Sequence, residues 1–123
     1  MADEEKLEKL LIQIIRKTTE GEIKWKLIPP PVNLRSGTDD LINNFFVANY
    51  KGKPIAVFER RFEGFIVEVE QTYWDSRPCF AFLSPAGTVI WETSELSTQI
   101  AELYDAAKES AADVDGILDS LLD

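Results

Sequence analysis

The sequence contains no histidine and only one cysteine, Cys79, among its 123 residues. Without histidine the chain lacks the commonest general base and the usual partner of a nucleophilic serine or cysteine, which excludes serine-histidine and cysteine-histidine hydrolysis. A single cysteine cannot form an intramolecular disulfide. Cys79 begins the apolar run over residues 79–83, and this setting predicts a buried, inert thiol. Together with the absence of a catalytic motif, this favours a protein that is not an enzyme over one that is, and the sequence indicates no metal site and no cofactor.

Long apolar runs are also absent. No stretch approaches the roughly 20 apolar residues that a membrane-spanning helix needs. The first six residues, Met1–Lys6, are charged and acidic, unlike a signal peptide. The sequence therefore predicts a cytoplasmic protein without a membrane partner.

Basic residues are scarce, with 13 lysines and arginines against 22 acidic residues and a net charge of −9. Affinity for nucleic acid comes mainly from neutralising phosphates with lysine and arginine, so this charge argues against a nucleic-acid partner. Aromatic strands beside arginines also describe single-strand binding platforms, but no recognition motif of that class is present. The acidic surface favours solubility, or steering toward a basic partner.

Two stretches have helical spacing. The first runs from Asp3, a candidate N-cap, to Thr18, and its apolar residues repeat every three or four positions. The second begins at Thr93 or Ser94 and runs to about Leu121. Gly116 weakens this second helix by roughly 1 kcal/mol relative to alanine, and we expect the final turn to break away there.

Between the helices the pattern predicts six strands. Their predicted bounds are Glu22–Ile28, Leu41–Tyr50, Ile55–Phe62, Phe65–Trp74, Cys79–Leu83 and Thr88–Glu92. The predicted connections are the irregular stretch 29–40 with its tip at 36–40, and turns at 51–52, 63–64, 75–78 and 84–87. The alternation in 65–74 is the clearest strand signal.

Short turns between consecutive strands favour an antiparallel meander, because such neighbours need no crossover. We therefore predict a single α+β domain over residues 1–123. Its antiparallel meander of five to six strands is flanked by an N-terminal and a C-terminal helix that pack on one face.

The order of helix, meander and long helix resembles that of a family of small bacterial proteins found in cyanobacterial and phage-related settings. The resemblance rests on the stretch Thr19–Trp25 and on the aliphatic, acidic C-terminal helix. It implies the α+β architecture and transfers no catalytic residue, because no catalytic residue is known in that family.

Charged residues on the strands offer one candidate site. Glu68 and Glu70 lie two apart and share a strand face, and Glu59 on a neighbouring strand would bring a third carboxylate beside Arg60. Three gathered carboxylates can hold a hard cation, but a solvated strand face is the simpler interpretation. The alternative function on this basis is a small-ligand-binding protein or a carboxylate-based enzyme.

Aromatic residues offer the other candidate site, since the strands carry more of them than two helices on one face can cover. Exposed rings beside arginines are typical of protein–protein contacts. The candidate surface consists of Phe46, Arg60, Arg61, Tyr73, Trp74 and Arg77. The sequence thus favours a non-catalytic interaction module whose partner is another protein or a second copy, as a homodimer. A more specific form is an acidic regulator or inhibitor of a partner.

Overall fold

The computed structural model describes residues 4–35 and 41–122. Its helices are α1 (Glu4–Thr19), α2 (Val32–Arg35), α3 (Ser97–Ala112) and α4 (Val114–Leu121). Its strands are β1 (Lys26–Ile28), β2 (Leu41–Tyr50), β3 (Lys53–Ile66), β4 (Gln71–Leu83) and β5 (Val89–Thr93), with a 3-10 turn over Val67–Val69. The predicted cap at Asp3 and the predicted loop tip at 36–40 lie outside the described residues.

The five strands form one antiparallel sheet in the order β1-β2-β3-β4-β5, flanked by the N-terminal and C-terminal helices. This confirms the predicted α+β meander. The tight hairpin between β2 and β3 is also confirmed. Lys51 and Gly52 both have positive φ, 52° and 80°, as a two-residue turn matched to the strand twist requires.

The prediction of one strand over 65–74, which has the clearest alternation in the sequence, is wrong. Gly64 and residues 75–78 lie inside long strands, and the chain reverses at Val67–Val69 instead, with Glu70 in the left-handed region at φ 49°. The prediction failed because the apolar residues before and within the short turn keep a spacing of two along the sequence. The turn therefore has the same pattern as a continuing strand.

The first strand is shorter than predicted, because only Lys26–Ile28 pairs with β2. Ile23 and Trp25 precede it and are buried against the helices instead. The Trp25 Nε1–H donates a hydrogen bond of 2.9 Å to the Thr18 hydroxyl at the end of α1. This buried pair fixes the chain between the first helix and the sheet.

One face of the sheet is covered by α1 and α3 together. The shared core is formed by the buried residues Leu7, Leu11, Ile14, Ile23, Trp25, Phe46, Ala48, Ile55, Val57, Phe80, Ile100, Leu103 and Ala107. The spacing of the apolar stripe on α1 matches this burial. Both helices therefore lie on one face, as expected.

The opposite face is not open along its whole length. It has its own buried cluster, formed by Leu34 of α2 with Phe45, Ala56, Phe58, Cys79, Ala81 and Leu83. The rings of Phe45 and Phe58 lie 5.2 Å apart. These aromatics serve as core, so they contribute nothing to an exposed surface.

The C-terminal helix begins at Ser97, later than predicted, and it breaks at Asp113 rather than at Gly116. Asp113 has φ 50°, and its carboxylate accepts a hydrogen bond of 3.4 Å from the Gly116 N–H. A Cβ on Gly116 would collide with that carboxylate, so the glycine makes room for the break. The α4 helix that follows has no buried residue.

We predict that Phe58→Ala destabilises the protein by about 3–5 kcal/mol, because Phe58 is completely buried and its removal leaves a cavity. Phe65→Ala deletes the same atoms on the same strand, but Phe65 is 58% exposed. Urea unfolding should therefore show a change below about 1 kcal/mol for this control. Equal losses for the two variants would contradict the assigned burial.

Candidate functional site

The candidate site is the end of the β3–β4 hairpin, residues 62–75, which we call the arm. The pairing of β2 with β3 reaches only Arg61, and the pairing of β5 with β4 spans Phe80–Leu83. Within the described part of the chain, the two strands of the arm therefore pair only with each other. At roughly 3.3 Å per residue, their five paired positions extend about 15 Å beyond the sheet.

The arm carries large apolar side chains that face solvent. Their exposed fractions lie between 41% and 72%, and they are Phe65, Ile66, Val67, Val69, Tyr73 and Trp74. Phe65 and Trp74 are diagonal neighbours on one face, and Ile66 and Tyr73 are diagonal neighbours on the other. Exposed apolar side chains grouped on one projection make it a candidate interaction surface.

Gly64 shapes one face of the arm. It pairs directly with Tyr73, and the tyrosine ring lies across the glycine, in the space that a Cβ at position 64 would occupy. A ring that covers a strand glycine replaces the packing that the glycine lacks. The ring is therefore held flat on the arm while 42% of the tyrosine remains exposed.

Two arginines stack on rings where the arm joins the sheet. The Arg61 guanidinium lies 5.6 Å from the centre of the Trp74 ring, and that of Arg77 lies 4.9 Å from the centre of the Phe62 ring. Such contacts contribute about 0.5–1 kcal/mol each at exposed sites. They orient the rings and place positive charge at the base of the arm.

The tip of the arm has the opposite charge. Glu68 lies in the 3-10 turn and Glu70 directly follows it, and both are exposed. Arg61 and Arg77 thus lie at the base of the arm, next along the strands to Glu63 and Asp75, whereas the tip carries carboxylates alone. The apolar side chains lie between these two charged ends.

Four of the six predicted surface residues meet in this arm or at its base, namely Arg61, Tyr73, Trp74 and Arg77. Phe46 does not belong to the surface. It is 3% exposed and its ring packs edge-on against Tyr104 beneath α3, with the ring centres 5.7 Å apart.

Arg60 is also withdrawn from the surface. It is 9% exposed, and its Nη2 donates to both carboxylate oxygens of Glu92 at 3.0 Å. The prediction paired Arg60 with carboxylates on the strand face. The actual acid comes from β5, two strands away in sequence.

The sequence-based prediction missed the apolar tip, because it places Ile66, Val67 and Val69 inside the strand 65–74. The sequence gives no period-two signal for the longer strand. Residues 55–58 are all apolar, and Phe62 and Phe65 lie three apart, so the apolar pattern changes face at the position where a turn was predicted.

The three carboxylates of the alternative hypothesis do not gather. Glu59 accepts a hydrogen bond of 3.1 Å from the Asn43 amide in the body of the sheet, whereas Glu68 and Glu70 lie at the tip of the arm. Seven residues of strand separate Glu59 from the end of β3, which is roughly 23 Å. Among the residues described, no three metal-ligating side chains come together.

Cys79 lines an open crevice of about 430 Å³ beside Arg60, Arg77 and Glu92. The predicted burial of the thiol is confirmed, with 2% of the residue exposed. Burial raises the pKa of Cys79 above its ordinary value, and the nearby Glu92 carboxylate adds to that effect. A nucleophilic cysteine needs a lowered pKa, so this arrangement opposes thiolate chemistry.

Comparison with protein-family models, with curated proteins and with solved structures finds no match to this chain. The functional argument therefore depends on the geometry of the arm. The resemblance to small bacterial proteins stays a prediction.

Over the described ranges, no helix combines the length and the apolar character that crossing a membrane requires.

We predict that Gly64→Ala loosens the arm, because the new methyl group collides with the Tyr73 ring. The arm can open without global unfolding, so amide hydrogen exchange at residues 62–75 is the suitable measurement. Exchange should accelerate about tenfold, which corresponds to roughly 1.4 kcal/mol.

The matched control places the same change in a Tyr73→Ser background, where no ring remains to be displaced. There Gly64→Ala should leave exchange in the arm nearly unchanged. An equal acceleration in both backgrounds would show that the ring does not cover the glycine.

We predict that Cys79 is alkylated by iodoacetamide at pH 8 at least about tenfold more slowly in the native protein than in urea. Burial limits access and the raised pKa lowers the thiolate fraction. Mass spectrometry of timed samples gives both rates. A native rate equal to that of the unfolded chain would contradict the burial of the thiol.

Proposed function

We propose that this protein is a non-catalytic protein–protein interaction module that self-associates through the arm. The supporting observation is the exposure of six large apolar side chains on a two-stranded projection. An isolated two-stranded hairpin is marginally stable in water, so the arm gains stability when a second surface covers it. In this proposal the covering surface is the arm of a second copy.

The charge pattern of the arm favours a second copy that runs antiparallel to the first. In that arrangement the acidic tip of each copy, Glu68 and Glu70, meets the basic base of the other, Arg61 and Arg77. A two-fold interface repeats each such contact, so a modest attraction counts twice. The interface has an apolar centre and a charged rim, the anatomy that protein–protein contacts share.

The outer edge of β4 gives the two arms a backbone contact as well. Its pairing with β5 begins at Phe80, so no strand within the described residues covers the edge over 71–77. Antiparallel addition of a strand at an open edge is a common mode of recognition. Asp75 and Arg77 on this edge discourage indiscriminate pairing, because a partner strand must match their charges.

Regulation or inhibition of a basic partner is a finer form of the same proposal. It is supported by the net charge of −9. An acidic surface accelerates encounter with a basic partner. The same arm would then serve as the contact surface.

A charge-exchange experiment tests self-association. Sedimentation velocity at micromolar concentration should show a dimer for the unmodified protein. Reversing the tip (E68K/E70K) or the base (R61E/R77E) should each weaken dimerisation about tenfold or more, since like charges then meet at both ends. The combined variant restores opposite charges across the interface and should recover most of the affinity.

The matched control is E102K/E109K, which makes the same charge change on exposed positions of α3. It should dimerise as the unmodified protein does. The proposal is overturned if the unmodified protein remains monomeric at several hundred micromolar. It is also overturned if the combined variant dimerises no better than either single reversal.

A further inference from the structure

A second site lies at the end of β3 opposite to the arm. There α1, from Lys6 to Ile14, the β2–β3 hairpin and Phe82 of β4 line an open crevice of about 410 Å³. The 14 residues of β3 separate this crevice from the tip of the arm by roughly 45 Å. The two sites are therefore physically independent.

The rim of the crevice is basic, although the protein as a whole is acidic. Lys6 and Lys9 contribute from α1, and Lys51 and Lys53 contribute from the hairpin. Four of the eight lysines in the sequence thus surround one opening. Glu5 forms a pair of 3.7 Å with Lys9, but both side chains are about 80% exposed and this pair is weak.

The floor of the crevice is apolar. Leu10 and Ile14 lie on the helix side, and Ile55 and Phe82 lie on the sheet side. The Phe82 ring is stacked on Trp91 at 5.2 Å between ring centres, which holds it in place. A ligand that rests on this floor would be covered on two sides by carbon.

One polar group sits at the boundary between rim and floor. The Tyr50 hydroxyl oxygen accepts a hydrogen bond from the Gln13 amide. A tyrosine hydroxyl can both accept and donate, so this group can also donate its hydrogen to a bound anion. The Lys51 ammonium lies 5.3 Å from the centre of the Tyr50 ring, on the same side of the opening.

We propose that this crevice binds a small anionic amphiphile, a carboxylate, sulfate or phosphate head on an apolar body of about ten carbons. The lysines and the Tyr50 hydroxyl would hold the head, and the partly exposed Leu10 and Phe82, above the buried Ile55, would contact the body. Small-molecule sites share this combination of an apolar lining with few convergent polar groups. The site is separate from the interface proposed for the arm.

Decanoate is a suitable probe of this class, with octan-1-ol as an uncharged reference. Titration of the full chain followed by ¹H–¹⁵N correlation spectra should give saturable shifts at Leu10, Gln13 and Lys53. The signals of residues 62–75 should not shift. Decanoate should bind at least about tenfold more tightly than the alcohol, and its affinity should fall with added salt.

Charge reversal at the rim supplies the matched variants. K9E/K53E should weaken decanoate binding about tenfold or more, whereas K26E/K108E, with the same charge change at exposed positions elsewhere, should change it less than about twofold. The neutral pair K9Q/K53Q gives an intermediate loss. It also guards against misfolding of the double reversal, which thermal unfolding would reveal.

Three results would overturn the proposal. Shifts confined to the arm or to α4 would place the probe on another apolar surface. Equal affinity for decanoate and octan-1-ol would show that the lysines do not bind the anionic head. The third result combines two findings: the unmodified protein does not bind decanoate, and the K9E/K53E variant no longer self-associates. Together they would assign the crevice to a second copy of this chain.

Discussion

The unbroken pairing of β3 with β4 is the constraint on which the rest of the structure depends. Twelve residue pairs run from Ile55 with Phe82 to Ile66 with Gln71, with no bulge between them. The first pairs are buried, on one face under α1 and α3 and on the other in the cluster with Leu34 of α2, and the last pairs stand outside the sheet. Because a two-stranded ribbon is marginal alone, the buried half supplies the stability that keeps the exposed half extended.

Arginines mark the boundary between these two halves. At this level Arg60 turns inward and is neutralised by Glu92, so it closes the core. Arg61 and Arg77 are exposed and stack on Trp74 and Phe62, so they begin the exposed surface. Arg60 and Arg77 are paired across the two strands and share a face, so the neighbour that each side chain meets, rather than the face of the strand, decides its role. The core ends where the neighbouring strands end.

Local sequence patterns could predict the elements of this fold but not the arm. The spacing of α1 and the turn at Lys51-Gly52 are set by nearby residues, and both appear as expected. Phe46 and Trp74 have nearly the same local signal, each the second ring of an aromatic pair in a strand. Phe46 pairs with Val57 beneath the helices, and Trp74 pairs with Glu63 beyond them. A two-residue period tells which residues share a face, but only the long-range register decides whether that face is covered.

Net charge has a similar weakness as a guide to partners, because it averages over a surface that is not uniform. The total of −9 argues against a broad phosphate-binding face, yet half of the lysines lie around one apolar crevice. The acidic residues of the tip lie at the other end of the same strand. Physiological salt screens the electric field of an exposed charged group beyond about 8 Å, which is far less than the length of β3. A molecule that approaches one end of β3 therefore meets the local charge of that end, and the two proposed sites differ in the sign of that charge.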